Sequence, residues 1–114
     1  NTVLIVASAP QYPQGVVDDV TGIAQVAIDH NINCHVDACM GGVTLAYLER
    51  LGEKIPPWNL QVPGVSSISV DLHKFGYTSK GASVIMYASK QLRSFQWILP
   101  SEKQAVLYWV IVFV

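Results

Sequence analysis

The stretch "SSISVDLHKFGYTSKGASVIMYAS", residues 66–89, contains two short runs of strand-forming residues with a glycine-containing loop between them. The runs predict strands over 66–72 and 83–89. A parallel return between neighbouring strands needs about a dozen residues or more, usually with a helix, and this loop shows no helical period. The second strand is therefore predicted to run antiparallel to the first, with His73 and Lys74 at the end of the sheet where the two strands are joined.

The sequence upstream of this stretch alternates strands with helices. Its predicted elements are a strand over 2–8, a helix over 16–30, a strand over 33–39, and a helix that starts at Gly41-Gly42 and ends at Gly52. Asp18 or Asp19 supplies the N-cap of the first helix, and Asn31 can close it. This alternation predicts an α/β fold with a mostly parallel sheet and right-handed crossovers. The uninterrupted apolar run "TVLIVAS" predicts a first strand that is buried on both faces.

The composition is unusually poor in charge for a chain of 114 residues. Charged residues make up 13% of it and apolar residues 51%, whereas ordinary soluble domains carry about 25% charge. We therefore expect its faces to be covered by further sequence or by a partner, and we expect the chain, which begins at Asn1, to be part of a longer protein. The net charge of −1 provides no overall field that would attract nucleic acid or an acidic membrane.

The end of the chain is a run of apolar residues, "AVLYWVIVFV", over 105–114. A membrane helix needs about 20 such residues, so this run is too short to span a bilayer. It predicts a buried strand, or half of a longer apolar segment.

Two cysteines lie in the second predicted strand. Side chains alternate along a strand, so Cys34 and Cys39 are expected on opposite faces, and no disulfide is predicted between them. His35, Asp37 and Cys39 share one face, a spacing that could offer ligands to zinc, but no fourth ligand is evident and no metal site is predicted. We interpret His35 as a satisfied polar group and leave it out of the catalytic set.

Two of the polar groups fall at the carboxyl ends of predicted parallel strands, where open α/β sheets bind ligands. These are Asp37 and the His73-Lys74 pair. Taken alone, Lys74 would be a solvated loop lysine and Asp37 a strand-end cap or a structural ion pair. The glycines at 41–42 and 76–81 could cradle phosphate through their backbone N–H groups, or they could serve only as turn residues.

Three motifs in order carry a family resemblance: "SAPQYPQGVVDDV" (8–20), "HVDACMGG" (35–42) and "SISVDLHKFGYTSKG" (67–81). Together they resemble the pyridoxal-phosphate (PLP) enzymes of the group II decarboxylase family, most closely its sphingosine-1-phosphate lyase branch. The resemblance extends over residues 2–97. It implies that residues 1–97 are part of the PLP-binding large domain of a fold-type I transferase, and that 98–114 form a divergent apolar tail of unknown role.

The resemblance assigns site residues by position. It places the covalent attachment of the cofactor on Lys74, and a Schiff base forms only from a neutral amine. Partial burial near a second cation would lower the pKa of that lysine, and Lys80 is expected to supply the cation. Asp37 matches the aspartate that pairs with the pyridinium nitrogen. His73 is expected near the cofactor phosphate, Cys39 against the ring, and Ser8 near its phenolic oxygen.

The implied reaction is cleavage of a carbon–carbon bond in a sphingoid base 1-phosphate, which gives a fatty aldehyde and phosphoethanolamine. Amino-acid decarboxylation on the same cofactor is the alternative, and a non-catalytic remnant of such an enzyme is another. The resemblance further implies a homodimer for the full-length enzyme, and a location at the endoplasmic reticulum membrane through an N-terminal span that lies outside this chain.

Overall fold

The computed structural model describes residues 1–96 and 109–113, and it has the α/β architecture that the sequence predicts. Its elements in chain order are β1 (Leu4–Ser8), α1 (Val20–Asp29), β2 (Asn33–Asp37), α2 (Gly42–Arg50), β3 (Val65–Asp71), β4 (Ala82–Tyr87), α3 (Lys90–Ser94) and β5 (Trp109–Phe113). The first five elements form two successive β-α-β units.

The strands form one sheet in the order β1-β2-β3-β4-β5. The first three strands are parallel, and β4 runs antiparallel to β3, with Asp71 opposite Ser83. β5 pairs in parallel with β4. The mostly parallel sheet and the antiparallel strand after the Lys74 loop are therefore confirmed.

Both long helices pack on the same face of the sheet. The two crossovers move in one direction from β1 to β3, and right-handed connections that step the same way lie on the same side. This covered face contains the apolar core, which is centred on Ala7, Val36 and Ile68, all at most 1% exposed. The core residues that the helices and the connection after α2 add are Val20, Ala24, Ala27, Leu45, Trp58 and Val62.

The opposite face of the sheet, which we call the open face, corrects the prediction for β1. The sequence predicted that this strand is buried on both sides, but Leu4 is 47% and Val6 is 52% exposed. The reason is that both crossover helices lie on the same face of the sheet. Among the described residues, no helix covers the other side of β1.

Two predicted boundaries also differ from the structure. α1 begins at Val20 rather than at residue 16, with Asp19 as its N-cap. The preceding residue, Asp18, instead ties the loop to β1, because its carboxylate accepts the Ser8 backbone N–H at 2.8 Å. β2 ends at Asp37 rather than at residue 39, since the chain turns there into the approach to α2.

The apolar end of the chain is described only as the backbone of β5. The predicted strand at this end is therefore present over 109–113, while residues 97–108 and 114 lie outside the described part of the chain. Within the described residues, no helix has the length and apolar character needed to cross a membrane. Cys34 and Cys39 are both free thiols.

Candidate functional site

The polar residues of the candidate site lie at the carboxyl edge of the parallel strands. Asp37 is the last residue of β2, and the register places Ser8 of β1 and Ser69 of β3 beside it. These three residues form a short polar row across the open face. Ser8 is therefore a neighbour of Asp37, as its predicted position near the same ligand requires.

Two glycines allow α2 to begin directly behind this edge. A Cβ atom on Gly41 would overlap Pro10, and one on Gly42 would lie 2.6 Å from Cγ1 of Val70. Neither glycine has a positive φ, so close packing rather than turn geometry requires them. This close approach explains the pair without a ligand, and Cys39, two residues before Gly41, lies at the same edge.

Cys39 connects the two predicted key residues, Asp37 and Lys74. Its backbone N–H donates to Asp37 Oδ1 at 3.1 Å, and its thiol lies near the same carboxylate. The Lys74 amine also lies near enough to the thiol to affect its pKa. Burial raises the pKa of the Cys39 thiol, and Asp37 adds to the rise while Lys74 opposes it. The structure therefore brings the carboxylate and the amine to the same edge, with a neutral thiol between them.

The environment of Lys74 differs from the one predicted. Burial acts to lower its pKa, but the interactions with Cys39 and Asp71 outweigh burial, and the pKa is raised. The expectation of a lowered pKa beside a second cation is therefore wrong for this structure. Lys80, which was expected to supply that cation, is exposed in the loop, whereas the charged neighbour of Lys74 is an aspartate.

Asp71 is the site residue that sequence reasoning missed. Its Oδ2 lies 3.0 Å from Lys74 Nζ, and its Oδ1 accepts the Ser83 hydroxyl at 2.5 Å. Burial alone would raise the pKa of Asp71, but the hydrogen bonds from Ser83 and Lys74 hold it below its usual value. The signal was present in the sequence, since Asp71 ends the third strand at the same edge as Asp37 and precedes Lys74 by three residues.

His73 is held in one orientation by β4. Its Nδ1 lies 2.8 Å from the Ala82 carbonyl oxygen, and because a carbonyl can only accept, Nδ1 carries a proton. In the neutral ring Nε2 is then an acceptor, and it lies 3.9 Å from Asp71. Nε2 could therefore donate to a phosphate oxygen only when the ring is protonated.

His35 is a polar group with hydrogen-bond partners, as expected from the sequence. Its Nδ1 lies 2.8 Å from the Ser67 hydroxyl and its Nε2 lies 3.1 Å from that of Ser69. Both ring nitrogens thus have partners on the next strand. Burial lowers its pKa, and the nearby Asp37 carboxylate opposes that shift. In the part of the chain that the structure describes, no cluster of three or more His, Cys, Asp or Glu side chains could hold a metal ion.

Two apolar clefts flank α2 without including the polar edge. One, of about 490 Å³, lies on the covered face between α2 and β4, where Ile68, Val70 and Val84 line it. The other, of about 630 Å³, lies between α2 and the loop after Lys74, where Phe75 and Tyr77 line it. Neither is lined by Asp37, Cys39 or Lys74, so the polar groups occupy an open edge rather than a closed cavity.

A carboxylate, a thiol and an amine at the carboxyl edge of a mostly parallel sheet define the candidate active site of an α/β enzyme. No protein-family model matches the sequence. Sphingosine-1-phosphate lyase 1 from Rattus norvegicus is 41% identical to this chain over 109 residues, which are 95% of this chain and 19% of that protein. Sphingosine-1-phosphate lyase from Arabidopsis thaliana is 42% identical over 108 residues, 95% of this chain and 20% of that protein.

The fold comparison gives the same result. A solved sphingosine-1-phosphate lyase from Burkholderia pseudomallei matches with a TM-score of 0.68 and 44% identity, over 70% of this chain and 18% of that one. The resemblance predicted from the sequence is confirmed: this chain is homologous to one segment of the sphingosine-1-phosphate lyases. It spans about a fifth of the length of the curated relatives that it matches.

Proposed function

We propose that this chain carries the cofactor-attachment segment of a PLP-dependent carbon–carbon lyase that acts on sphingoid base 1-phosphates. The observation that supports the proposal best is that Asp37, Cys39 and Lys74 meet at one edge of the sheet, where Asp37 accepts the Cys39 backbone N–H and Lys74 lies near the Cys39 thiol. Lys74 stands far from Asp37 and Cys39 in the sequence, and the three meet at the edge where α/β enzymes bind their ligands.

The residues at this edge fit the chemistry of PLP. The cofactor needs an amine for attachment and an anion for its ring nitrogen, and Lys74 and Asp37 provide these groups on either side of one small side chain. The open face beside them is lined by Ser8 and Ser69, which leave it polar and uncovered among the described residues. We infer that Ser8 lies near the phenolic oxygen of the cofactor, that Cys39 packs against its ring, and that His73 lies near its phosphate.

PLP, when bound, supplies an electron sink that stabilises negative charge at the substrate carbon. The chain's own residues prepare that sink. Asp37 holds a negative charge that favours a protonated ring nitrogen, and Cys39, being neutral, can pack close to the ring without competing for that proton. Lys74 must lose its own proton before it can react, and His73 must gain one at Nε2 before it can donate to phosphate.

The substrate assignment follows the relatives. The reported homologues are named sphingosine-1-phosphate lyases, which favours the lyase over the amino-acid decarboxylase that the motifs alone left open. The products would be a fatty aldehyde and phosphoethanolamine. For the longer protein, we extend the inference to a homodimer at the endoplasmic reticulum membrane, with a supporting role for Lys80 in the complete site.

The test uses the 114-residue chain with added PLP. We expect an absorbance band near the visible edge, and after borohydride reduction we expect the cofactor mass on the peptide that contains Lys74. Lys74→Ala should abolish both signals, whereas Lys80→Ala, a matched change in the same loop, should keep them. A folded chain that shows neither signal would support the non-catalytic remnant instead.

A further inference from the structure

Asp71 forms the closest charged contact of the candidate site. Its two carboxylate oxygens have different partners: Oδ2 lies 3.0 Å from Lys74 Nζ, and Oδ1 accepts the Ser83 hydroxyl at 2.5 Å. Ser83 is the cross-strand partner of Asp71 on β4, so the sheet itself fixes the position of the serine. The side chain of Asp71 is 18% exposed, and its orientation is therefore set by the structure rather than by solvent.

The other charged or titratable groups around Lys74 do not replace this contact. Cys39 is a neutral thiol near the amine, and Asp37 has no direct ion pair to Lys74 among the described residues. His73 stands beside Asp71, with its Nε2 at 3.9 Å from the carboxylate. Lys80 is exposed in the same loop.

We propose that Asp71 is a positioning residue for Lys74, whose carboxylate, held by Ser83, anchors the amine at the carboxyl edge of the sheet while the site is free of cofactor. The inference rests on the proposed function for its meaning, because an anchored amine matters only if Lys74 receives the cofactor. The contact itself is independent of any ligand.

The anchor has two physical consequences. It holds a long, flexible side chain beside Cys39 rather than extended into solvent, which shortens the search for the geometry in which the amine reacts. It also favours the ammonium form, because a nearby negative charge stabilises a positive one. At a given pH a smaller fraction of the amine should therefore be neutral and reactive than in an unpaired lysine, until the amine leaves Asp71. Removal of the carboxylate should make the amine easier to deprotonate.

The experiment titrates Lys74 in the cofactor-free chain. Lysines are converted to ¹³C-dimethyl-lysines with labelled formaldehyde and a borane, and the methyl signals are followed by NMR against pH. Lys74→Arg and Lys80→Arg assign the two loop signals by their loss. In Asp71→Asn we expect the Lys74 midpoint to fall by about 0.5 to 1 pH unit, while the Lys80 midpoint stays in place.

Ser83→Ala provides a second test that leaves both charges intact. Loss of its hydroxyl should loosen Asp71 and shift the Lys74 midpoint in the same direction, by less than Asp71→Asn does. Asp71→Glu, which retains a carboxylate, should restore part of the wild-type midpoint. A Lys74 midpoint that is unchanged in both Asp71→Asn and Ser83→Ala, in variants whose spectra show the native fold, would overturn the proposal.

The outcome separates this inference from the proposed function. If the Lys74 midpoint shifts as expected but no cofactor attaches, the anchor exists and the lyase proposal fails. If the cofactor attaches to Lys74 but the midpoint does not respond to Asp71, the lyase proposal stands and Asp71 is only a structural residue at the end of β3. With both properties present, the rate of attachment in Asp71→Asn should rise at a lower pH than in the wild-type chain.

Discussion

The two faces of the sheet are built from the same strands but serve different purposes. On the covered face, Val36 and Ile68 are at most 1% exposed and pack against the helices. On the open face, the neighbouring positions of the same strands carry His35, Asp37 and Ser69, with hydrogen bonds in place of apolar packing. Each strand therefore contributes to the core with one set of alternate residues and to the site with the other.

This difference indicates which changes should unfold the chain and which should alter only the site. Burial of apolar area is the main source of stability, so the covered face should dominate the free energy of unfolding. The polar contacts on the open face contribute less individually, but they set protonation states at the carboxyl edge. Substitutions on the two faces can test this division directly.

The largest effect is expected for Ile68→Ala on the covered face. Loss of its buried side chain should lower the free energy of unfolding by about 2–5 kcal/mol, because the core cannot fully close the cavity. Val6→Ala, which truncates a half-exposed residue on the open face, should cost less than about 0.5 kcal/mol. Urea unfolding at two protein concentrations provides the measurement. A similar cost for both variants would mean that the open face is covered, for example by a second copy of the chain.

A smaller effect is expected where α2 meets β3. Gly42→Ala would place a methyl group 2.6 Å from Cγ1 of Val70, and Val is stiff at χ1. We expect a loss of about 1–3 kcal/mol from overpacking. The double variant with Val70→Ala should recover much of that loss, so a double-mutant cycle should show a favourable coupling energy. Purely additive effects would argue against close packing at this point.

The smallest effect is expected at His35. Burial lowers the pKa of His35 in the folded chain below its ordinary value of about 6.5. The buried neutral ring therefore contributes its full stability above about pH 6.5, and this contribution is lost as the pH falls from there through the pKa of the folded state. His35→Gln should remove this part of the pH dependence, with about 0.5–1.5 kcal/mol lost at pH 7.5 from the serine contacts. Denaturation midpoints between pH 7.5 and 5 test it. His30→Gln, at an exposed histidine, should keep the wild-type dependence, and an identical profile for both variants would contradict this explanation.

The fold could be read from the sequence because its signals are local. The alternation of strands and helices gave the parallel sheet, and the short loop after His73 gave the antiparallel strand, since too few residues remained for a crossover. The start of α1 could not be read in the same way. Asp18 and Asp19 are equivalent as caps in sequence, and only the contact of Asp18 with the Ser8 backbone decides between them.

The candidate site was predictable in part. The motifs identified Asp37, Cys39 and Lys74, and the structure brings these three together. The partner of Lys74 was predicted wrongly: both Lys80 and Asp71 lie near Lys74 in the sequence, and Lys80 was the one predicted. The pairing of β3 with β4 makes Asp71, and not Lys80, the charged neighbour of Lys74. It places Ser83 against one carboxylate oxygen of Asp71 and leaves the other oxygen for the Lys74 amine.

The sequence by itself determined the strands, the helices and the residue types at the ends of the strands, because periodicity and turn chemistry act over a few neighbouring residues. Only the tertiary structure decided that, in the part of the chain it describes, one face of the sheet has no helix over it, and that the Lys74 amine is held by an anion. Those outcomes depend on the handedness of the crossovers and on contacts between strands, which join residues that are distant in the chain. Charge at the site is a property of this assembled edge, since a pKa depends on the neighbours that folding provides.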